Sequence, residues 1–203
     1  MRIGIMGGTF DPIHNGHLML GEYAYRKFDL DEVWFMPNGN PPHKQDVSIR
    51  RMTNHRVRMT ELAIEDIPYF KLCTYETDRT EKSYTYETME CFHERYPEHE
   101  FYFIIGADSL LALDSWKCPQ RLLQLVTILA AYRDDMDTPE EMDSRIRYLN
   151  RKYHGDIRLL RTPVVSVSSR DIRRRIREGL SYDYLMPDKT AEYIKQYHIY
   201  QGE

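Results

Sequence analysis

Two histidines three residues apart, His14 and His17, follow a pair of glycines, Gly7 and Gly8, near the start of the chain. Residues three apart on a helix project to the same side, so both rings can donate hydrogen bonds to one phosphate group. Paired glycines let the backbone turn sharply and approach a ligand, and the free amides of a helix N-terminus attract an anion. The pattern therefore favours a phosphate-binding site, in which the histidines stabilise negative charge and do not themselves cleave a bond.

The elements that must position these residues follow from hydrophobic patterning. The apolar run that ends at Gly7 predicts a strand, and apolar residues at helical spacing from Asn15 to Phe28 predict a helix. Taken alone, a Gly-Gly turn can simply end an edge strand, and two histidines can stand there without a ligand. The succession of strand, tight loop and helix nevertheless puts both histidines at a helix start.

A second group of candidates follows the next predicted strand, Glu32 to Pro37. The loop from Asn38 to Lys44 contains two prolines and a glycine, which exclude regular structure. Ligands of an open parallel sheet sit outside the carboxyl ends of its strands, so we expect Lys44 and His43 on the same rim as the histidine pair. Without further support, a surface lysine in a solvated loop is the simpler interpretation.

Charged residues closely follow two more predicted strands. The strand from Glu100 to Ile105 ends at Gly106, and Asp108 can either accept from a ribose hydroxyl or cap the following helix. These two interpretations of Asp108 carry equal weight. A fifth strand is predicted within Leu122 to Tyr132, and Arg133 emerges at its carboxyl end.

Near the C-terminus, Ser168 and Ser169 open a predicted helix that runs through Arg177. Its first amides are available to an anion, and Arg173 lies one turn in. Ser168 with Asp171 also fits a capping box, which needs no ligand. Four arginines of this helix share one face, and such a basic stripe is usually a solvated surface; they are Arg170, Arg173, Arg174 and Arg177.

The string from Gly7 to His17, Gly-Gly-Thr-Phe-Asp-Pro-Ile-His-Asn-Gly-His, resembles the signature of the nucleotidyltransferase superfamily, whose members share a His-x-Gly-His pair. Within it, the chain is most similar to the bacterial nicotinate-nucleotide adenylyltransferase family. The resemblance spans nearly the whole chain and is weakest from Arg133 through the next helix. It implies adenylyl transfer from ATP to nicotinate mononucleotide, giving nicotinate adenine dinucleotide and pyrophosphate in NAD biosynthesis.

The resemblance also implies residue roles, which we take over position by position. The residues implied to act in catalysis are His14, His17, Lys44 and Arg173, and none of them is a general base. The implied ATP contacts are Gly7, Gly8, Thr9, Phe10, His14, His17, Gly106, Asp108, Arg133, Ser168, Ser169 and Arg173. The implied mononucleotide contacts are Asn38, Lys44, Ser83, Tyr84, Thr85 and Trp116, the last matching an aromatic residue that stacks on the nicotinate ring.

The family pattern is not matched everywhere. Arg170 stands where the family has a threonine in a Ser-Ser-Thr-x-Ile-Arg string, so the role of residue 170 stays open. The sequence offers no dense carboxylate cage, which fits Mg²⁺ held mainly by ATP phosphates and water, with no metal site of the protein. Asp11 and Asp108 are helpers at most.

Two other classes of function remain. A related nucleotidyltransferase could use another acceptor, such as phosphopantetheine or nicotinamide mononucleotide, or CTP with glycerol phosphate; Ser83 to Thr85 and Trp116 argue against these. A nucleotide sensor without activity is the second alternative, and the intact histidine pair argues against it.

Composition sets outer bounds. The chain has 203 residues, a net charge of −4 and a pI near 6.1, which predicts one domain over residues 1–203 and gives no support to nucleic-acid or membrane partners. With no leader pattern and no long apolar run, we expect a cytoplasmic protein. Three cysteines without Cys-x-x-Cys spacing predict buried or unreactive thiols. The sequence leaves the oligomeric state open, and a homo-oligomer is compatible with it.

Alternating strands and helices predict an α/β fold, a three-layer Rossmann-like domain of nucleotidyltransferase type with a mostly parallel sheet. In the amphipathic helix predicted over Ser48 to Asp66, we expect Arg51, Arg56 and Arg58 to form a solvated face. Apart from the role that the resemblance implies, Ser83 could simply cap the helix that follows it. The remaining predictions are a strand at 70–74, a helix at 84–95, a helix at 138–152, a strand at 157–160 and a helix at 189–197.

Overall fold

A computed structural model describes residues 1–39, 52–132, 139–163 and 166–201. Its six strands are β1 (Arg2–Gly8), β2 (Glu32–Pro37), β3 (Phe70–Leu72), β4 (Glu100–Ile105), β5 (Thr127–Tyr132) and β6 (Asp156–Arg161). The described part of the chain has eight α-helices: α1 (Asn15–Lys27), α2 (Thr53–Ile64), α3 (Thr85–Arg95), α4 (Ala107–Leu111), α5 (Pro119–Leu125), α6 (Pro139–Tyr153), α7 (Ser169–Arg177) and α8 (Asp188–Gln196).

The strands form one sheet in the order β3-β2-β1-β4-β5-β6, and every neighbouring pair is parallel. Parallel sheets are covered on both faces, so their central strands are apolar throughout. In β1, Ile3 and Ile5 are fully buried and face one layer, whereas Met6 is buried in the other. The predicted mostly parallel α/β fold is therefore confirmed, with a sheet that is parallel in all described strands.

Two hydrophobic cores lie on opposite faces of the sheet. Helices α1, α2, α7 and α8 contribute to the core that contains Met6 and Ile104. Helices α3, α4, α5 and α6 contribute to the core that contains Ile5 and Phe103. The molecule thus has three layers, and the helices change sides between β1 and β4. This point, where the strand order reverses, is where doubly wound sheets bind ligands.

One strand prediction was wrong at its start. Residues Leu122 to Leu125 belong to α5. This helix begins at Pro119, which is tolerated in a first turn because its missing amide would have no partner there. Strand β5 begins only at Thr127. The strand predicted at 70–74 is also shorter, ending at Leu72.

The expectation for the arginines of α2 was wrong for one of them. Arg56 is fully buried, whereas Arg58 is exposed and pairs with Glu61. Arg51 lies outside the described residues. Among the described residues, no helix is both long and apolar enough to cross a membrane, and all three cysteines are free and partly exposed.

Candidate active site

A cavity of about 460 Å³ opens at the carboxyl ends of β1 and β4, at the point where the strand order reverses. Its walls come from the ends of these strands, the start of α1, the segment before α3, and the turn that precedes α5. Of the residues that the sequence singled out, those on its walls are Gly7, Gly8, Thr9, His17, Asn38, Ser83, Tyr84, Thr85, Gly106 and Trp116. Residues from five separate stretches of the chain are therefore brought to one site.

The loop after β1 needs glycine for a packing reason. A Cβ built on Gly8 would lie 2.7 Å from the ring of Phe10, too close for a real contact. Phe10 itself has a positive φ of 48° and is buried. Its ring packs edge-on against His17, with 5.0 Å between the ring centroids. Phe10 thus packs against Gly8 and His17 and supports the loop. It does not border the cavity.

The histidine pair is ordered by its own helix start. The backbone N–H of His14, the N-cap residue of α1, donates to Nδ1 of His17 at 3.2 Å. The two rings stack with 3.7 Å between their centroids. His17 borders the cavity, whereas His14 is 3% exposed and lies outside the cavity walls. The two predicted phosphate ligands are adjacent, and His17 has the direct access.

Arg56 is a residue of this site that sequence reasoning placed on the surface. From α2 its guanidinium donates to the backbone oxygen of Thr9 at 2.7 Å and to that of Asn38 at 2.8 Å. These carbonyls belong to the loops that follow β1 and β2. Burial lowers the pKa of Arg56, and the nearby Asp11 opposes that shift. One buried cation therefore fixes two walls of the cavity.

Ser83 does not cap α3, so the capping alternative for this residue is wrong. The N-cap residue is Tyr84, and no side chain caps the helix. The hydroxyl oxygen of Ser83 is buried and has no hydrogen-bond partner among the described residues. A buried hydroxyl without a partner costs free energy, so a ligand in the cavity is its natural partner. The first turn of α3, which begins at Thr85, has no side-chain cap from the described residues.

Glu76 lies on the cavity wall, and the sequence gave no reason to choose it. It is 5% exposed and accepts from the hydroxyl of Thr88 at 3.0 Å and from the backbone N–H of Gly39. Burial raises its pKa. Glu76 thereby ties the loop after β2 to α3.

The residues at the start of α7 form a separate group. They contact the loop between β1 and α1, residues 9–14, which we call the signature loop. Ser168 is the N-cap and accepts from the backbone N–H of Asp171 at 3.2 Å, as the capping interpretation predicts. Ser169 donates to the backbone oxygen of Pro12 at 2.8 Å. Arg173 donates to the backbone oxygen of Asp11 and lies 3.5 Å from its carboxylate. The start of α7 is therefore docked on residues 11 and 12.

Three predicted site residues remain, namely Asp108, Lys44 and Arg133. Asp108 is exposed, and it neither caps α4, whose N-cap is Gly106, nor borders the cavity. Lys44 and Arg133 lie outside the described residues, as does His43. Their predicted roles stay predictions.

The family of the chain follows from comparison with known proteins. A family model described as cytidylyltransferase-like matches residues 5–175. The chain therefore belongs to the cytidylyltransferase-like family of nucleotidyltransferases.

Relatives over the full length are more specific. A probable nicotinate-nucleotide adenylyltransferase of Lachnoclostridium phytofermentans is 42% identical over 199 residues, which cover 98% of each chain. One of Bacillus licheniformis is 40% identical over 202 residues, again 98% of each. Within its family, the chain thus belongs with the nicotinate-nucleotide adenylyltransferases, as the sequence signature predicts.

Solved structures agree on the fold. Nicotinic acid mononucleotide adenylyltransferase of Plasmodium falciparum, complexed with NaAD, matches with a TM-score of 0.77 at 22% identity and covers 98% of this chain and 97% of its own. A putative nicotinate-nucleotide adenylyltransferase from Vibrio parahaemolyticus matches with a TM-score of 0.67 at 19% identity and covers 100% of this chain and 96% of its own. At such identities the likeness concerns the fold alone.

Proposed function

We propose that this protein transfers the adenylyl group of ATP to nicotinate mononucleotide, forming nicotinate adenine dinucleotide and pyrophosphate as a step of NAD biosynthesis. The observation that carries the proposal is the full-length likeness, at 37% to 42% identity, to relatives named for this activity. The cavity at the reversal of strand order supports the proposal. It has the glycine loop after β1 and His17 on one wall, and Tyr84 and Trp116 on another.

The reaction is an exchange of phosphorus–oxygen bonds. A phosphate oxygen of the mononucleotide forms a bond to the α-phosphorus of ATP, and the bond from that phosphorus to the bridging oxygen breaks as pyrophosphate leaves with the electron pair. The attacking group is already an anion, so the protein supplies alignment and charge neutralisation without a general base.

His17 is suited to hold a phosphate oxygen. Because its Nδ1 accepts the backbone N–H of His14, a neutral ring carries its proton on Nε2 and can donate it in a hydrogen bond. The stacked ring of His14 restrains the orientation of that donor. We assign His17 to the phosphates whose charge changes in the transition state, and His14 to its support.

The start of α7 is the proposed triphosphate contact. Ser169 and Arg173 hold it against the signature loop through Pro12 and Asp11, and the amides of a helix N-terminus such as the one that Ser168 caps attract phosphate. Lys44 and Arg133 are assigned to substrate phosphates and ATP by family resemblance.

The pyridine ring is proposed to bind between Trp116 and the start of α3. The unpartnered hydroxyl of Ser83 and the uncapped first turn beginning at Thr85 are donors. A carboxylate accepts from such donors at both oxygens, whereas an amide turns an NH₂ towards one of them and leaves it unsatisfied. This arrangement favours the acid over the amide.

Magnesium fits this chemistry as a companion of ATP. Bound with ATP, Mg²⁺ would be held mainly by the substrate phosphates and by water, because this small cation keeps several of its waters. Among the described residues, no group of three or more histidine, cysteine or acidic side chains could hold a metal ion. Bound to the substrate phosphates, Mg²⁺ supplies charge neutralisation on the leaving pyrophosphate.

Pyrophosphate release from ATP tests the proposal, with nicotinate mononucleotide, nicotinamide mononucleotide and phosphopantetheine offered in parallel. We expect the acid to exceed the amide in kcat/KM by roughly 30-fold to 1000-fold, since a lost charge-assisted hydrogen bond and an unsatisfied donor cost about 2 to 4 kcal/mol. Faster turnover of phosphopantetheine would identify a different transferase. ATP binding without pyrophosphate release from any acceptor would indicate a sensor.

A further inference from the structure

Lys117 is the only lysine or arginine among the described residues that border the cavity. It directly follows Trp116, and its ammonium nitrogen lies over the ring of Tyr84, 3.9 Å from the ring centroid. Tyr84 is the N-cap residue of α3. The ammonium group therefore lies on the side of the cavity where the buried hydroxyl of Ser83 and the first turn of α3 meet.

Two carboxylates make the charge of Lys117 important there. Glu87, in the first turn of α3, lies 3.7 Å from the ammonium group, and Glu76 is buried in another wall of the same cavity. Without Lys117, an anion approaching the start of α3 would meet carboxylate charge only partly offset by the helix dipole. A neutral ligand would be little affected.

We propose that Lys117 is a specificity-determining residue, whose ammonium group selects mononucleotides with an anionic ring substituent over those with a neutral one. This inference rests on the proposed function. The hydrogen bonds of Ser83 and α3 discriminate by donor geometry, whereas Lys117 discriminates by charge. The two contributions are separable, because salt screens the half-exposed charge of Lys117 more strongly than hydrogen bonds inside the cavity.

The size of the effect follows from exposure. The side chain of Lys117 is 48% exposed and that of Glu87 is 44% exposed, so water screens both charges. We therefore expect a loss of roughly 3-fold to 10-fold in the acid-to-amide ratio, from the lost attraction and from the uncompensated Glu87 together.

The experiment compares kcat/KM for nicotinate and nicotinamide mononucleotide in wild type, Lys117→Met, Lys117→Arg and Arg121→Met. Arg121 is a matched control, because its guanidinium lies over the neighbouring Tyr86, 5.1 Å from the ring centroid, and it is not on the cavity wall. Melting temperatures of all variants accompany the rates, and Lys117→Gln replaces Lys117→Met if the latter unfolds.

We expect Lys117→Met to lose acid turnover while amide turnover is retained, with Lys117→Arg and Arg121→Met close to wild type in their ratios. Raising the salt concentration is expected to move the wild-type ratio towards that of Lys117→Met. An unchanged ratio in Lys117→Met, or an equal loss in Arg121→Met, would overturn the role of Lys117 while leaving the proposed function intact. Wild type that turns over neither mononucleotide would overturn both.

Discussion

At the scale of single residues, the site depends on side chains that hold backbone groups in place as much as on those that face the ligand. His17 faces the cavity, but its donor direction is set by the backbone N–H of His14. Arg56 does not border the cavity, yet it holds the carbonyls of Thr9 and Asn38 that do. Substitutions at the two kinds of residue are expected to have different effects.

The first prediction concerns His17. Its replacement by alanine removes a donor that acts where charge is redistributed, so we expect kcat to fall about 100-fold or more while the melting temperature changes little. His93→Ala, at an exposed position late in α3, is the control. A folded His17→Ala protein with near-normal kcat would refute the assignment.

The second prediction concerns Arg56. Arg56→Met removes a fully buried donor from two partly buried carbonyls, and we expect a loss of about 2 to 3 kcal/mol in the free energy of unfolding, with lower kcat/KM for both substrates. Arg58→Met, two residues on and exposed, is expected to change stability by less than about 0.5 kcal/mol. Denaturant unfolding of both variants measures the contrast, and equal losses would contradict it.

At the scale of elements, the turn between α4 and α5 carries Trp116 and Lys117 and is held against α6. Asp114 accepts from Lys152 at 2.7 Å, from Tyr153 at 2.5 Å and from Arg145 at 2.8 Å. The hydrogen bond from Lys152, then those from Tyr153 and Arg145, lower the pKa of Asp114 to about 2. The wall of the cavity that carries Trp116 thus depends on an ionised carboxylate.

The third prediction is the pH dependence of this anchor. A carboxylate whose pKa is lowered by folding contributes stability above its unfolded pKa of about 4, and that contribution is lost as the pH falls towards 2. We therefore expect Asp114→Asn to be less stable than wild type at pH 7 and the two curves to converge between about pH 4 and pH 2. Thermal unfolding across this range measures it. A constant difference down to pH 2 would contradict the assignment.

At the scale of the whole molecule, the site closes only because distant parts of the chain meet. The signature loop at residues 11 and 12 is held by Arg173 and Ser169 and by the hydroxyl of Tyr200, which donates to Asp11 at 2.6 Å. Burial, and then the Asp11 carboxylate, raise the pKa of Tyr200 above its ordinary value. The C-terminal quarter of the described chain is therefore part of the N-terminal site.

The fourth prediction follows from this closure. Arg173→Ala removes the contact of α7 with Asp11 and the proposed triphosphate ligand, so we expect the KM for ATP to rise far more than the KM for the mononucleotide. Arg177, about 6 Å further along the helix at 1.5 Å per residue, is expected to matter much less. Steady-state kinetics with each substrate varied in turn tests the pair, and equal effects would indicate a merely solvated basic face.

The sequence by itself determined the order of strands and helices, the parallel α/β class, and the loops on which the site lies, because hydrophobic periodicity and the glycine and proline signals are local. The spacing of Ser168 and Asp171 also offered a helix cap as one of two interpretations of Ser168, and the structure has that cap. The tertiary structure decided which residues share the cavity. The hydrophobic periodicity of α2 predicts a surface position for Arg56, because this pattern reports only on neighbours in the sequence. The burial of Arg56 depends on the loops after β1 and β2, whose carbonyls it contacts. Glu76 and Lys117 gave no local signal, since a single charge in a turn becomes part of a site only when separate strands bring its walls together.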